Sequence, residues 1–508
     1  MLLNLEPSQK NSSEVQKKTK YHKHVDGCFI IPFLYILLLL HEMYDARHFT
    51  SGMISQSKIA RILTHSTASV SSKPLRIAVC GAGVSGLACV SAILNSTKEK
   101  TAAKYGFSIP SPEITVFEKE EEPIIGRNIG VGLWSTSLTK FYQHSPSVVE
   151  QLVNVGCMVG PNVSYRTSSG VILAESALSG DKNQFLNYLK GAQNGRDRNS
   201  EFHPGMIFVH ENELYSTLMR DIEECSNSDD LKIIYGREVH DIDTERGNIS
   251  FSSIDNDIGN SSYDLIVVAD GISSNLRRQL SCGNTRIEDR GYTVFRGNSH
   301  LQNHADHSFQ TWGTKDSMRF AVCPLRRHLV WFATIDNQIL EQTADINPKQ
   351  FLIECFGHWH SPIADLIAST PDDEIVVEPA RAHLESVIPK SSSRIPIHFV
   401  GDADMTLDPL LAQGFSIGLE DASNLANALI ESPIEQISRS LNCLRERKKA
   451  RLEVVRRSTA LAQFLAQPRG IIAGGVAQSS RMIMTVTPDF LKRQLFDYTM
   501  KYSLGFYL

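Results

Sequence analysis

At 508 residues the chain is too long for one small domain and compatible with two or three. Its 42% hydrophobic and 21% charged residues are ordinary for a soluble globular protein, and a net charge of −5 argues against a nucleic-acid surface. Nine scattered cysteines, with no C-x-x-C pair, argue against a disulfide framework and read as buried structural thiols in a reducing compartment.

Residues 1–73 read as a targeting region outside the fold. Lys10, Lys17, Lys18, Lys20 and Lys23 make a basic start. The apolar run at residues 28–40 is shorter than the ~20 residues of a spanning helix but suits a signal-peptide core. Residues 47–73 carry no acid and many Ser and Thr, like an organelle transit peptide. The two segments together resemble the two-part presequence of a plastid protein. A short membrane anchor, or a start at Met53 with mitochondrial import, are the alternatives.

The motif Gly81-Ala82-Gly83-Val84-Ser85-Gly86 follows a short apolar strand at residues 77–80 and opens a helix at 87–94. Gly81 permits the tight turn, Gly83 a close approach of pyrophosphate, and Gly86 tight helix–strand packing. The helix N-terminus adds free N–H groups and a positive dipole end. The polar residues 95–112 read as an insertion. A strand at 113–117 then ends in Glu118, placed to accept hydrogen bonds from a ribose diol, or else one acid of a solvated charge run. Further on, 137–155 is amphipathic, 164–176 reads as strand, and 177–204 as a polar surface excursion. A helix at 212–224 and strands at 231–235 and 239–243 follow.

A second apolar strand, 265–269, ends in Asp270-Gly271, with a helix starting near Ser273. A third ends in Gly401-Asp402, followed by Pro409 and by Gln413-Gly414 opening a long helix. An acid at a strand end can hold sugar hydroxyls, and a helix start can face a developing anion. His358-Trp359-His360 is no metal site: read as strand, its neighbours point to opposite faces, with no Cys or acid cluster behind them.

The three motifs, in this order, resemble the FAD-dependent aromatic hydroxylases, the single-component flavoprotein monooxygenases. The resemblance implies an α/β fold: a Rossmann-like FAD-binding domain with an interleaved, mainly antiparallel β-sheet substrate domain. The FAD-binding domain would take residues 74–160, 206–290 and 391–465, and the substrate domain 161–205 and 291–390. Residues 466–508 would form a helical tail. Carried over by motif, Gly81 to Gly86 would cradle the pyrophosphate, with Glu118 and Lys119 at the adenosine ribose. Arg127 would also bind FAD. Asp270 and Gly271 match the second fingerprint, linked to FAD and the nicotinamide donor. Gly401 and Asp402 would bind the ribityl chain; Pro409, Gln413, Gly414 and Phe415 would lie beside the ring. The implied activity takes electrons from NADH or NADPH, and moves one atom of dioxygen to a small-molecule substrate as a hydroxyl or epoxide. A same-fold reductase or a non-catalytic flavin-binding protein is the alternative.

Residues 291–297, 311–313, 323–325 and 329–333 resemble the family's substrate sheet. There Arg296 offers a fork of donors to a substrate carboxylate, or makes a rim salt bridge. Two positions depart from the family. Glu211 stands where many members have an arginine, and Asp404-Met405 where many have Ala-His. Toward the end, residues 445–457 form a basic helix expected to be a solvated face. Residues 490–508 are apolar enough to pack on the substrate domain or touch a membrane.

Overall fold

The computed structural model describes residues 73–504, apart from 106–110, 124–125, 128, 160–161, 178–180, 194–204, 228–229, 252–261, 284, 303–308, 314–316, 342–346, 391–392, 433–435 and 467–469. The targeting region expected at residues 1–73 lies, but for its last residue, outside the described residues.

The apolar run after Leu75 becomes the strand Arg76–Cys80, the centre of a five-stranded parallel sheet. Glu113–Phe117 and then Leu231–Ile234 flank it on one side, Leu265–Val268 and then Ile397–Phe399 on the other. The chain thus enters this sheet at five separated points. Continuous apolar sequence is the signature of strands buried on both faces, and Leu265–Val268 is completely buried. One face carries the helices Val84–Tyr105, Glu211–Cys225 and Gly414–Glu431, which share a core cluster. The other face is covered by the hairpin Val239–Ile242/Ile249–Phe251 and the short helix Asn275–Leu280.

A second, seven-stranded sheet runs in the order Val376–His383, Ile287–Gln302, His328–Asp336, Met318–Pro324, Phe309–Gly313, Asn162–Thr167, Ile172–Ala177. Every neighbouring pair is antiparallel except Phe309–Gly313 with Asn162–Thr167. Side chains alternate across such a sheet. Phe295, Trp331 and Ala333 pack toward the helices Pro348–Phe356 and Ile363–Ser369. Val294, Arg296, Val330, Phe332 and Thr334 line the opposite face, which looks into a cavity. The expected architecture is the one the chain builds: a Rossmann-like domain interleaved with a mainly antiparallel sheet. A third, small sheet joins Gly130–Trp134, Met206–His210 and Cys157–Met158.

Several local expectations need correction. The helix after the glycine loop does not stop at residue 94 but runs on as Val84–Tyr105, because Lys98-Glu99-Lys100 and Ala102-Ala103-Lys104 are strong helix formers. Residues 177–204 are not simply a surface excursion. Lys182–Gln193 is a helix whose Phe185 and Leu189, four residues apart on one face, are fully buried. The single strand expected at 164–176 is a hairpin turned at Gly170, where φ is +92°. His358-Trp359-His360 forms a turn between two helices, with only Trp359 buried, rather than a strand. Cys282 and Cys443 are exposed, unlike the buried Cys80, Cys89, Cys157 and Cys323.

The basic helix is the largest correction. It belongs to Ile437–Ala466, and its Arg451 is buried and its Lys448 side chain only 9% exposed, not solvated. Spaced three residues apart, they share one face and meet consecutive acids of Gly414–Glu431. Lys448 pairs with Asp421 at 2.7 Å and also with Asp404; Arg451 reaches Glu420 at 3.4 Å. Asp404, one of the family departures, is therefore a structural anion; its carboxylate also accepts from the Val387 N–H at 2.8 Å. Met405, the other, packs with Leu407, Ile417, Leu452 and Val455. The tail forms Gly470–Val486 and Asp489–Leu504; Phe496 packs against the core beside the second sheet, while Phe490 is exposed. Among the described residues no helix is long and apolar enough to cross a membrane.

Candidate active site

Between the C-terminal ends of the parallel strands and the second sheet lies a cavity of about 560 Å³. Crevices at this end of a parallel sheet are where such folds bind ligands. One wall is largely backbone, from three turns of the Rossmann-like domain. The other is side chains of the second sheet.

The first turn is fixed by contacts within the protein. Gly81 has φ +111°, and a Cβ there would strike the Ala269 carbonyl; a Cβ at Gly86 would strike the carbonyl of Gly81. Gly81 N–H donates to Phe117 O at 2.8 Å, and Ala82 N–H donates to Glu118 Oε2 at 2.7 Å. Glu118 is 4% exposed, so it is no solvated surface acid. It anchors the glycine turn, and its other oxygen accepts from the Glu120 N–H at 3.1 Å. Lys119 is exposed, pairs with Glu120 at 3.5 Å, and lies outside the cavity lining, as do Gly81, Ala82, Gly86 and Glu118.

Gly83, Val84 and Ser85 line the cavity. Gly83 differs from its neighbours: a Cβ there would meet nothing within 4 Å, and its φ is not positive. Gly414, at the start of the helix on the third turn, has the same two properties and also lines the cavity. Glycine at these two positions leaves open space that a bound group can fill. Ser85 itself packs between Gly401 and Gly418, at either of which a Cβ would collide with its Oγ. The third motif is thereby locked onto the first.

Asp402 lines the cavity and is exposed to it; the protein packed around it pushes its carboxyl up to about 6, against the opposing pull of Arg127 and Lys448. Gly271 lines the cavity, whereas Asp270 stands behind it. Burial raises the pKa of Asp270, and its Oδ1 has no partner among the described residues. Pro409 and Phe415 line the wall, and between them Ala412 holds a left-handed φ of 52°, rare for a residue with a Cβ. The turn is fixed by Asp408, which accepts from Tyr292 Oη at 2.6 Å and Arg290 Nε at 2.9 Å, and by Arg319, which donates to Leu410 O at 2.9 Å. Gln413 departs from expectation. It is fully buried, its amide oxygen accepts from Arg451 at 3.1 Å, and it lies outside the lining. Its side chain fixes the helix start and does not reach the cavity.

On the opposite wall Arg296 is not free to grip a carboxylate: it is paired with Glu378 on the edge strand. Arg127 also donates to Glu378, at 2.5 Å, and to Glu211 at 2.8 Å. Glu211 is thus paired with an arginine from another element. Burial opposes the charge on Arg127, but Glu211 and then Glu378 outweigh it and raise its pKa. Beside Gly130 and Val330, His210 Nε2 lies 2.9 Å from His328 Nε2; burial and then mutual repulsion bring His210 down to about 4. Phe332, in the expected substrate-sheet stretch, lines the cavity, as do Glu378 and Arg381, which escaped the sequence reading. The alternation around Phe332 was visible; nothing local marked Glu378.

Comparison with known proteins places this geometry. Residues 178–460 match the family described as FAD binding domain. Aurachin C monooxygenase/isomerase of Stigmatella aurantiaca is 32% identical over 178 residues, spanning 33% of this chain and 42% of that relative. HpxO of Klebsiella pneumoniae, solved with FAD and uric acid, superimposes with a TM-score of 0.61 at 16% identity, covering 84% of this chain and 97% of the other. The tetrameric form of 2-methyl-3-hydroxypyridine-5-carboxylic acid oxygenase gives a TM-score of 0.55 at 14% identity, covering 85% and 98%. At these identities the two structures speak for the fold.

Proposed function

This chain belongs to the FAD binding domain family, and from that premise we propose that it is a flavin-dependent monooxygenase. It would use NADH or NADPH and dioxygen to hydroxylate or epoxidise a small organic substrate, aromatic or isoprenoid, in the cavity. Bound FAD supplies the redox chemistry that activates dioxygen. The residues fit it. The turn Gly81 to Gly86 and the N-terminus of Val84–Tyr105 would hold the pyrophosphate, and Glu118, through its hold on that turn, the ribose end. Asp402 would accept from sugar hydroxyls, and the backbone of Ala412 to Phe415 would cradle the ring. Val294, Val330 and Phe332 supply an apolar surface that excludes water from the substrate side. Import into a plastid, inferred from residues 1–73, belongs to the same proposal and is read from the mature N-terminus by mass spectrometry.

The observation that carries this reading is the pair Gly83 and Gly414, glycines on the cavity wall that no protein contact requires. The test is purification with FAD, anaerobic bleaching of the flavin by NADH or NADPH, and turnover under isotopically labelled dioxygen. One labelled oxygen atom in the product is expected. Bleaching without incorporation in any substrate class points to a reductase. Retention of FAD that neither nucleotide bleaches points to a flavin-binding protein without catalysis.

A further inference from the structure

We infer that the substrate side of this cavity is built for an uncharged aromatic or apolar molecule, and that Glu378 is the residue that turns carboxylates away. The inference rests on the monooxygenase reading for the identity of the site, but its chemistry comes from the charges in the wall.

An arginine fork is the usual means of holding a carboxylate. Arg296 stands on the substrate wall beside Phe332, and Glu378 already occupies its guanidinium. Arg127 is taken from two sides, by Glu378 at 2.5 Å and Glu211 at 2.8 Å. A carboxylate entering here must displace Glu378 from Arg296. Glu378 is then left to share Arg127 with Glu211, in a cavity that Asp402 also lines. The exchange makes no net new ion pair and adds a third carboxylate beside Glu211 and Glu378, for two arginines. A neutral molecule leaves both pairs intact and covers Val294, Val330 and Phe332. The remaining arginine of the wall, Arg381, lies three residues beyond Glu378 on the same strand, about 10 Å further along. It is exposed there, opposite Asp289 on the neighbouring strand.

Position in the sheet explains why Glu378 can do this. It sits opposite Val294 in register, while Arg296 sits opposite Val376, so acid and base are diagonal neighbours across two strands. Neither side chain needs to bend away from its strand to meet the other.

The experiment is equilibrium binding to the full chain, read by isothermal titration calorimetry and, with FAD loaded, from the flavin absorbance. The probes are matched pairs: phenol and hydroxybenzoate, indole and indole carboxylate, hydroxyquinoline and its carboxylate. The native protein is expected to favour the neutral member of a pair by about tenfold or more. Glu378→Gln keeps the side-chain shape, frees Arg296, and should shift the ratio toward the carboxylate by about tenfold. Adding Arg296→Gln to that variant should remove the gain. Equal or tighter binding of carboxylates by the native protein, a ratio unmoved by Glu378→Gln, or no binding of any neutral probe overturns the inference. Because binding is read without turnover, a correct preference with no oxygen incorporation would leave this inference standing and defeat the monooxygenase reading instead.

Discussion

Two clusters of ion pairs in this molecule look alike on paper and differ in kind. Lys448 with Asp404 and Asp421 is sealed, its side chains 9%, 6% and 3% exposed. Arg127, Arg296, Glu211 and Glu378 face the cavity at 48%, 22%, 13% and 36%. The sealed cluster fastens the long helix Ile437–Ala466 to the helix Gly414–Glu431 that borders the cavity. Without Lys448 its two acids would keep only the backbone N–H groups of Val387 and Gly401 among the hydrogen bonds described, in a low dielectric. The open cluster can exchange partners with a ligand or with water, so altering it should change what binds more than whether the chain folds.

The sharpest test of that contrast is Lys448→Met. It deprives Asp404 and Asp421 of their shared cation at once, and should lower the unfolding free energy by about 3–5 kcal/mol, measured by urea denaturation. A loss no larger than that of a rim substitution would erase the distinction.

Acid titration probes the same helix pair. Burial pushes Glu420 up, but Arg451, Lys140 and the Ser137 hydrogen bond outweigh it and hold the carboxyl at about 2 instead of 4.5. A depressed pKa gives stability that is present above pH 4.5 and lost as pH falls toward 2, on the order of 3 kcal/mol. Glu420→Gln should flatten the stability–pH curve in that window; an unchanged slope would assign the acid transition to other groups.

The backbone wall divides in a similar way. Gly83→Val should weaken FAD binding by about 100-fold or more, followed by flavin fluorescence, while the unfolding free energy of the apoprotein moves by less than about 1 kcal/mol. Gly86→Val, whose side chain would run into the carbonyl of Gly81, should fail to fold. If both changes simply unfold the chain, Gly83 is structural and the ligand argument falls. The smallest effect is expected from Arg296→Gln. Glu378 keeps Arg127, so stability should change by less than about 1 kcal/mol in thermal or urea unfolding. A larger loss would make the open cluster a scaffold too.

What was legible in the sequence follows the same division. The glycine turns, the strand-end acids and the five entries into the parallel sheet could be read because each is written locally. A run of apolar residues buries itself, and a turn of positive φ asks for glycine within a few positions. Glu118 was legible as the acid that follows the second strand, though not that it anchors the Ala82 N–H. The helix at Lys182–Gln193 was missed because its apolar residues, Phe185, Leu186, Tyr188 and Leu189, crowd into one short stretch of an otherwise polar, glycine-bearing segment.

The sequence by itself determined the α/β architecture, the order of its motifs and the need for glycine at Gly81 and Gly86. It could not decide which charges meet. Arg296 was as suited to a substrate as to a salt bridge, and a basic run with Lys448 and Arg451 was as suited to solvent as to a core. Only the tertiary structure decided these, by bringing Glu378 beside Arg296 across two strands and the acids Glu420 and Asp421 under the basic helix. The physical reason is that an ion pair depends on separation and on the dielectric around it, and neither exists until residues distant in sequence are packed together.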